Sequence, residues 1–292
     1  MRRIPRADLS VRVAEWGRRL NLVGTAHHRA QDLYIGDHWS VARNLPEFAR
    51  GFGFDVRLWI CSAGYGFISP ETNIKPYAAT FAADSEDYVS CSGDRCEARQ
   101  WWDGVCRLNP RGCKTGPQTI HDLCSVHSRT PLIIALSREY LDAVSDDVET
   151  ALKWPYFREH LAIVSCGSSK DRSSLRGNLV PCDSSMATIV GGALTSLNVR
   201  IVRHLLSALN GEAISFVNIS KAIVASRVPR RKLRTVKPRT NEEIIDFIRR
   251  NLATTQKSSA SALLRRHRDA GYSCEQKRFS ELYRIVCATG AA

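Results

Sequence analysis

What most limits the fold of this chain is a set of short, continuous apolar runs. Asp55-Val56-Arg57-Leu58-Trp59-Ile60-Cys61, Pro131-Leu132-Ile133-Ile134-Ala135-Leu136 and Leu161-Ala162-Ile163-Val164-Ser165-Cys166 are β-rich, and the first and third end at small-residue loops. Strands covered on both faces read as unbroken apolar runs, because neither side of the pleat meets water. Ala213-Ile214-Ser215-Phe216-Val217 reads as a fourth such run. Helical periodicity lies between the runs. It covers residues 9–24 (Val11, Val13, Trp16, Leu20), residues 39–50, a helix with Tyr140, Leu141, Val144, Val148 and Leu152, and a long helix within 185–210. Residues 90–128 read as loop-rich. The alternation predicts an α/β fold with a mainly parallel sheet and helices on both faces. In such sheets the crevice at the carboxyl ends of the strands holds the ligand. That points to the loops after Cys61 and after Cys166, the latter being Gly167-Ser168-Ser169-Lys170.

Charge divides the chain more sharply than hydropathy does. The net charge is +13, and residues 221–292 hold 17 Lys and Arg against 6 Asp and Glu, or +11. A basic excess confined to one quarter of a chain aims a field at a polyanion. DNA is the expected partner; no membrane contact is expected, since no bulky apolar anchor accompanies the charge, and no obligate protein partner is evident. No apolar run approaches the roughly 20 residues of a membrane span. The charged start Met1-Arg2-Arg3-Ile4-Pro5-Arg6 has no apolar segment behind it, so a cytoplasmic location is expected.

The ten cysteines fit that location as reduced thiols, without disulfides. Cys91, Cys96, Cys106, Cys113 and Cys124 share one stretch, but their spacings match no zinc knuckle, so no metal and no cofactor is expected.

The basic, proline-bounded segment 227–241 reads as a linker between an α/β domain (1–226) and a small C-terminal, all-helical module (242–292). In that module 242–252 carries Ile244, Ile245 and Ile248 on one face, and 258–270 carries Leu263 and Leu264. Gly271 stops the second helix, and Ser273-Cys274-Glu275-Gln276 resembles a capping box opening a third. Helix, short glycine turn, helix is the layout of a helix-turn-helix. It would present Arg265, Arg266, Gln276, Lys277, Ser280 and Arg284 to DNA, aided by Arg230, Arg231 and Lys232 in the linker. Lys170, Asn198 and Arg200 are candidate phosphate contacts from the α/β domain.

The loop Ser62-Ala63-Gly64-Tyr65-Gly66-Phe67 follows a strand directly, and its glycines suit close approach to a phosphate, sugar or base edge. It continues as Ile68-Ser69-Pro70-Glu71-Thr72-Asn73-Ile74-Lys75-Pro76-Tyr77. With Leu33-Tyr34-Ile35-Gly36 ahead of it, this stretch resembles the YaaA-like superfamily. Members carry a strand, Ser-Ala-x-Tyr-Gly-Leu, then Pro, an acidic residue and Pro-Tyr. Phe67 stands at the leucine position here, and the acid is matched by Glu71 or displaced into Thr72 or Asn73. The resemblance covers about residues 30–90. It implies a fold like that of uracil-DNA glycosylases, and a likeness to bacterial anti-phage glycosylases that remove modified bases from viral DNA.

A glycosylase flips its target nucleotide out and holds the base in a pocket, while a carboxylate stabilises the developing oxocarbenium charge. Candidate carboxylates are Asp37, beside His38, and Glu71, Asp84 and Asp87. Asp37 reads equally well as a helix cap, and Glu71 as a turn former. Ser62, Gly64, Tyr65, Gly66, Asn73 and Tyr77 are candidate base contacts, with both tyrosines alternatively core anchors. Two other functions fit the same residues: a non-catalytic DNA-binding protein with a nucleotide-like ligand pocket, and a base-exchanging enzyme acting on RNA.

Overall fold

The computed structural model describes residues 7–22, 24, 26–166, 173–226, 237–254 and 258–289. The chain divides into two units, Met1–Val228 and Pro229–Ala292. In chain order the first contains α1 (Leu9–Leu20), β1 (His28–Arg29), α2 (Ala30–Leu33), α3 (Asp37–Arg43), α4 (Leu45–Arg50), β2 (Ile60–Ser62), β3 (Gly66–Ile68), β4 (Asn73–Ile74) and α5 (Arg95–Arg107). It continues with α6 (Ile120–Val126), β5 (Leu132–Ala135), α7 (Arg138–Ala151), α8 (Pro155–His160), β6 (Leu161–Val164), β7 (Leu179–Val180), α9 (Ser184–Val190), α10 (Leu197–Leu209) and α11 (Phe216–Ser226).

The parallel sheet is three strands wide, in the order β5-β6-β7, with Leu132 opposite Leu161 and Ile163 opposite Leu179. Its pleat feeds two cores. Leu161, Ile163 and Ile134 enter one with Trp101 and Val105 of α5 and Leu141, Val144 and Val148 of α7. Ala162, Val164 and Val180 enter the other with Leu45 and Ala49 of α4, Leu205 of α10 and Ile219 of α11. Burial on both sides is why these runs lack polar alternation.

Elsewhere the sequence expectation fails in instructive ways. Of the run 55–61, only its end forms a strand, and β2 pairs antiparallel with β3, not with the parallel sheet. Gly66, at φ +73°, returns the chain on itself, so the Ser62–Phe67 segment is a hairpin and not a loop at a parallel strand's end. Residues 213–217 form no strand. Ser215 accepts the amide hydrogen of Asn218 on its Oγ and that of Ile219 on its carbonyl, which starts α11 instead.

The stretch 90–128 holds two helices. Asp94 caps α5 by accepting from the Cys96 amide, and Thr119 caps α6 by accepting from Asp122. The α5 helix buries Trp101, Trp102, Val105 and Cys106, and its last carbonyls, on Val105 and Cys106, accept from the buried Lys114 ammonium at 2.9 and 3.0 Å. Cys166 and Cys182 are joined as a disulfide, their Cα atoms 4.9 Å apart, against the expectation of thiols alone. The two follow neighbouring parallel strands, an adjacency that sequence separation hides.

The second unit contains β8 (Lys237–Pro238), α12 (Asn241–Thr254), α13 (Ala260–Asp269), β9 (Tyr272–Ser273) and α14 (Gln276–Thr289). It is not purely helical, because β8 and β9 pair in parallel. Ile244, Ile248, Leu263, Leu264, Phe279, Leu282 and Val286 make its core. Among the described residues no helix of either unit is long and apolar enough to cross a membrane.

Candidate functional site

The β2–β3 hairpin turn is held from within. Trp16 of α1 donates its indole N–H to the Gly64 carbonyl at 2.7 Å, and Trp101 of α5 donates to the Ala63 carbonyl at 2.8 Å. Both glycines are consumed by packing. A Cβ on Gly64 would lie 2.5 Å from the Tyr77 ring, and one on Gly66 would lie 2.7 Å from the Cys106 backbone. The close approach expected for a ligand is made by the protein itself. Tyr65 is 2% exposed, packs edge-on against Tyr77, and accepts the Lys75 amide hydrogen at 3.0 Å, so it is a core anchor rather than a base-stacking face.

What emerges from the turn is a chain of hydroxyls. Buried Ser62 Oγ accepts from the amides of Tyr65 at 3.0 Å and Gly64 at 3.3 Å. With both acceptor positions filled, its proton is left to donate to Tyr77 Oη, 2.7 Å away. Tyr77 in turn lies 2.8 Å from Tyr34 Oη. That direction makes Tyr34 the last hydroxyl of the chain, accepting from Tyr77. Burial pushes the Tyr34 phenol up to about 12, so it stays protonated across the physiological range. Tyr34 and Tyr77 are half-buried, and Trp39 packs edge-on against Tyr34 with centroids 5.6 Å apart.

Asp37 follows Tyr34 by three residues, after a turn in which Gly36 adopts φ +98°. Its carboxylate accepts from Ser196 Oγ and, at 2.7 Å, from Arg200 of α10. Arg200 Nε also donates to Ser196 Oγ at 3.0 Å. Ser196 first, then Arg200, hold the Asp37 carboxyl below the usual carboxylate range, so it is ionised at neutral pH. The Asp37 side chain is 45% exposed. Burial lowers the neighbouring His38, against opposing effects of Asn198 and Asp37.

The two segments 28–39 and 62–77 are stitched together by β1–β4 pairing and by the Ala30 amide donating to the Thr72 carbonyl. Asp37, Ser62, Gly64, Tyr65, Gly66, Glu71, Asn73 and Tyr77 all lie on them. Glu71 and Asn73 are exposed at this seam, Glu71 meeting Arg29 at 3.5 Å, and Asp84 is exposed in a separate turn. Asn198, expected at a phosphate, is 3% exposed and turns its Oδ1 to the Val199 amide. Arg200, expected likewise, is engaged by Asp37. Lys170, Arg230, Arg231 and Lys232 lie outside the described residues. Arg265 and Arg266 of α13 and Gln276, Lys277 and Arg284 of α14 are exposed.

Sequence reasoning missed Ser196, which carries no motif, and the place of Tyr34 in the hydroxyl chain, legible only once Tyr77 is beside it. Among the described residues no cluster of three His, Cys, Asp or Glu side chains is arranged to hold a metal. The chain matches no protein-family model, and no curated protein or solved structure matches it.

Proposed function

We propose that the chain is a DNA glycosylase that removes a modified base from DNA, leaving an abasic site, and that it serves antiviral defence inside the cell. One observation carries this reading: an ionised, half-exposed carboxylate, Asp37, three residues from Tyr34, whose hydroxyl ends a donor chain rooted at Ser62. Breaking an N-glycosidic bond builds positive charge on the sugar and negative charge on the departing base. A fixed carboxylate stabilises the first and a fixed hydroxyl donor the second. With its phenol up at about 12, Tyr34 acts as a hydrogen-bond donor and not as a proton carrier. Each Asp37 oxygen keeps a further lone pair beyond its bond to Ser196 or Arg200.

The resemblance of residues 30–90 to the YaaA-like superfamily supports the same chemistry, and its link to anti-phage glycosylases suggests modified viral DNA as substrate. The second unit supplies the grip. Exposed Arg265 and Arg266 on α13, the turn at Gly271 with φ +90°, and exposed Gln276, Lys277 and Arg284 on α14 fit a helix-turn-helix-like use of α14 in a groove.

The Asp37–Arg200 ion pair favours a second reading, in which segment 34–39 is a structural tie and the α/β unit binds a nucleotide-like ligand without turnover. Mass spectrometry of free bases released from modified DNA separates the two. Release by the wild type and its loss in Asp37→Asn supports the glycosylase. DNA binding with no base released by the wild type supports the tie.

A further inference from the structure

Pro238, Arg268, Tyr272, Ser273, Cys274, Glu275 and Arg278 line a cleft of about 560 Å³ in the second unit. The parallel β8–β9 pair creates it, because Lys237 opposite Tyr272 and Pro238 opposite Ser273 bring Arg239 next to Tyr272. Arg239 lies 3.5 Å over the Tyr272 ring, and its buried Nε has no partner. The other two arginines are held by neutral acceptors. Arg268 donates to the Cys274 carbonyl at 3.0 Å. Arg278 donates to the Arg239 carbonyl at 3.0 Å and to Asn241 Oδ1 at 2.8 Å. Each guanidinium has five N–H donors, so most of them stay unused while the forks are already oriented.

Glu275 is the one carboxylate on the cleft wall, and among the described residues Arg268 and Arg278 bond only neutral oxygens. The first intrahelical bond of α14 runs from the Phe279 amide to the Glu275 carbonyl, so the amides of Gln276, Lys277 and Arg278 precede it at this end. Buried His267 contacts the Tyr272 ring, and neither of its nitrogens has a partner. Arg268 and Arg278 line the cleft with no ion-pair partner among the described residues, Arg239 lies against Tyr272 at its edge, and two such forks beside one carboxylate suit an anion with several oxygens.

We propose that this cleft binds a phosphodiester of the DNA backbone, with Arg268 and Arg278 as the clamp and Arg239 stacked behind them. The proposal rests on the DNA-binding reading above and deepens it by placing one phosphate at the start of α14. A polyanion is favoured over an acidic peptide because exposed Arg265, Arg266, Lys277 and Arg284 continue the charge along the same two helices. Arg268 and Arg278 are positioned to fix register and not to read bases.

The test is fluorescence anisotropy of a labelled duplex with the full chain across a salt series. Arg268→Gln and Arg278→Gln each weaken binding by roughly ten-fold, equally for unrelated sequences, and the double variant lowers the salt slope by about 1. Because both arginines also hold backbone carbonyls, Ser273→Glu is the companion variant. Its side chain is exposed and it adds repulsion without removing a bond, so it too weakens binding by roughly ten-fold. If these variants bind as the wild type does while Arg265→Gln/Arg266→Gln loses affinity, the cleft proposal is overturned and the DNA reading stands. If the wild type binds no duplex, the DNA reading falls. The cleft then survives only if inorganic phosphate raises the Tm of the wild type and not of Ser273→Glu, and an acidic peptide giving that response in its place overturns the phosphodiester assignment.

Discussion

Ser62 Oγ and Tyr77 Oη lie 2.7 Å apart, joining a hairpin turn to the segment fifteen residues beyond it. The bond explains why the turn must be so tight. Tyr77 can reach Ser62 only across the space that a side chain at position 64 would fill.

Gly64→Ala therefore destabilises through a clash with the Tyr77 ring, by about 1–3 kcal/mol. Gly66→Ala costs more, because its φ of +73° is strained for alanine and the obstacle is Cys106 backbone, which cannot rotate away. Gly93→Ala is the control. It shares a positive φ, +77°, but has open space, so only the strain of about 1 kcal/mol remains. Urea denaturation of the three variants checks the order, and a Gly66→Ala no worse than Gly93→Ala contradicts it.

Tyr77→Phe removes the middle hydroxyl and leaves Ser62 and Tyr34 without their shared partner. The expected cost is about 1–3 kcal/mol in stability, as for buried polar groups left unsatisfied. Tyr34→Phe removes only the last hydroxyl of the chain, so it costs less stability but, on the proposed mechanism, more activity. Paired denaturation and base-release measurements on the two variants test that inversion.

Arg12 and Glu97 form a pair sunk against Trp101, with Arg12 1% exposed and the Glu97 side chain 16% exposed. Burial, the largest influence, pushes the Glu97 carboxyl up. The hydroxyls of Ser90 and Ser92, the Ser92 amide and Arg12 together overcome it and hold the group at about 2, against 4.5 unfolded. A depressed acid contributes stability that is full above the unfolded value and is lost as pH falls toward the folded one. Stability should decline between about pH 4.5 and pH 2, and Glu97→Gln should be destabilised at neutral pH but show a flatter decline across that window. Equal pH slopes for the two proteins would contradict the assignment.

The Cys166–Cys182 bridge closes a loop with sequence separation 16, and eight other cysteines are free. Alkylation under denaturing, non-reducing conditions should label eight thiols and leave two. Reduction should lower stability by about 3 kcal/mol on the chain-entropy account. Ten labelled thiols without reductant would refute the bridge.

The sequence revealed the parallel strands 132–135 and 161–164 because burial on both faces writes itself as an unbroken apolar run. It concealed helix 95–107, where Arg95, Glu97, Arg99 and Arg107 surround a stripe of Ala98, Trp101, Trp102 and Val105 that counts as helical only when spaced by three and four. Ser62, Tyr77 and Asp37 stand out in the sequence from loop chemistry and resemblance, but as base contacts and a free carboxylate, and not as the members of a hydroxyl chain and an ion pair that they are. Ser196 and Arg200 were not assignable to Asp37, since an ion pair across 163 residues leaves no local signature. Glycine was misleading for a physical reason: room for a ligand and room for a neighbouring tyrosine look alike in sequence.

Base excision itself is the most direct measurement of the proposed activity. Modified phage DNA, incubated with wild-type protein or Asp37→Asn and then treated with alkali, reports abasic sites as strand breaks. Breaks with the wild type, reduced on the order of 10²-fold or more in Asp37→Asn, are the predicted result for a group that stabilises transition-state charge. Intact strands with the wild type on every modified DNA tried, despite binding, would contradict the glycosylase assignment.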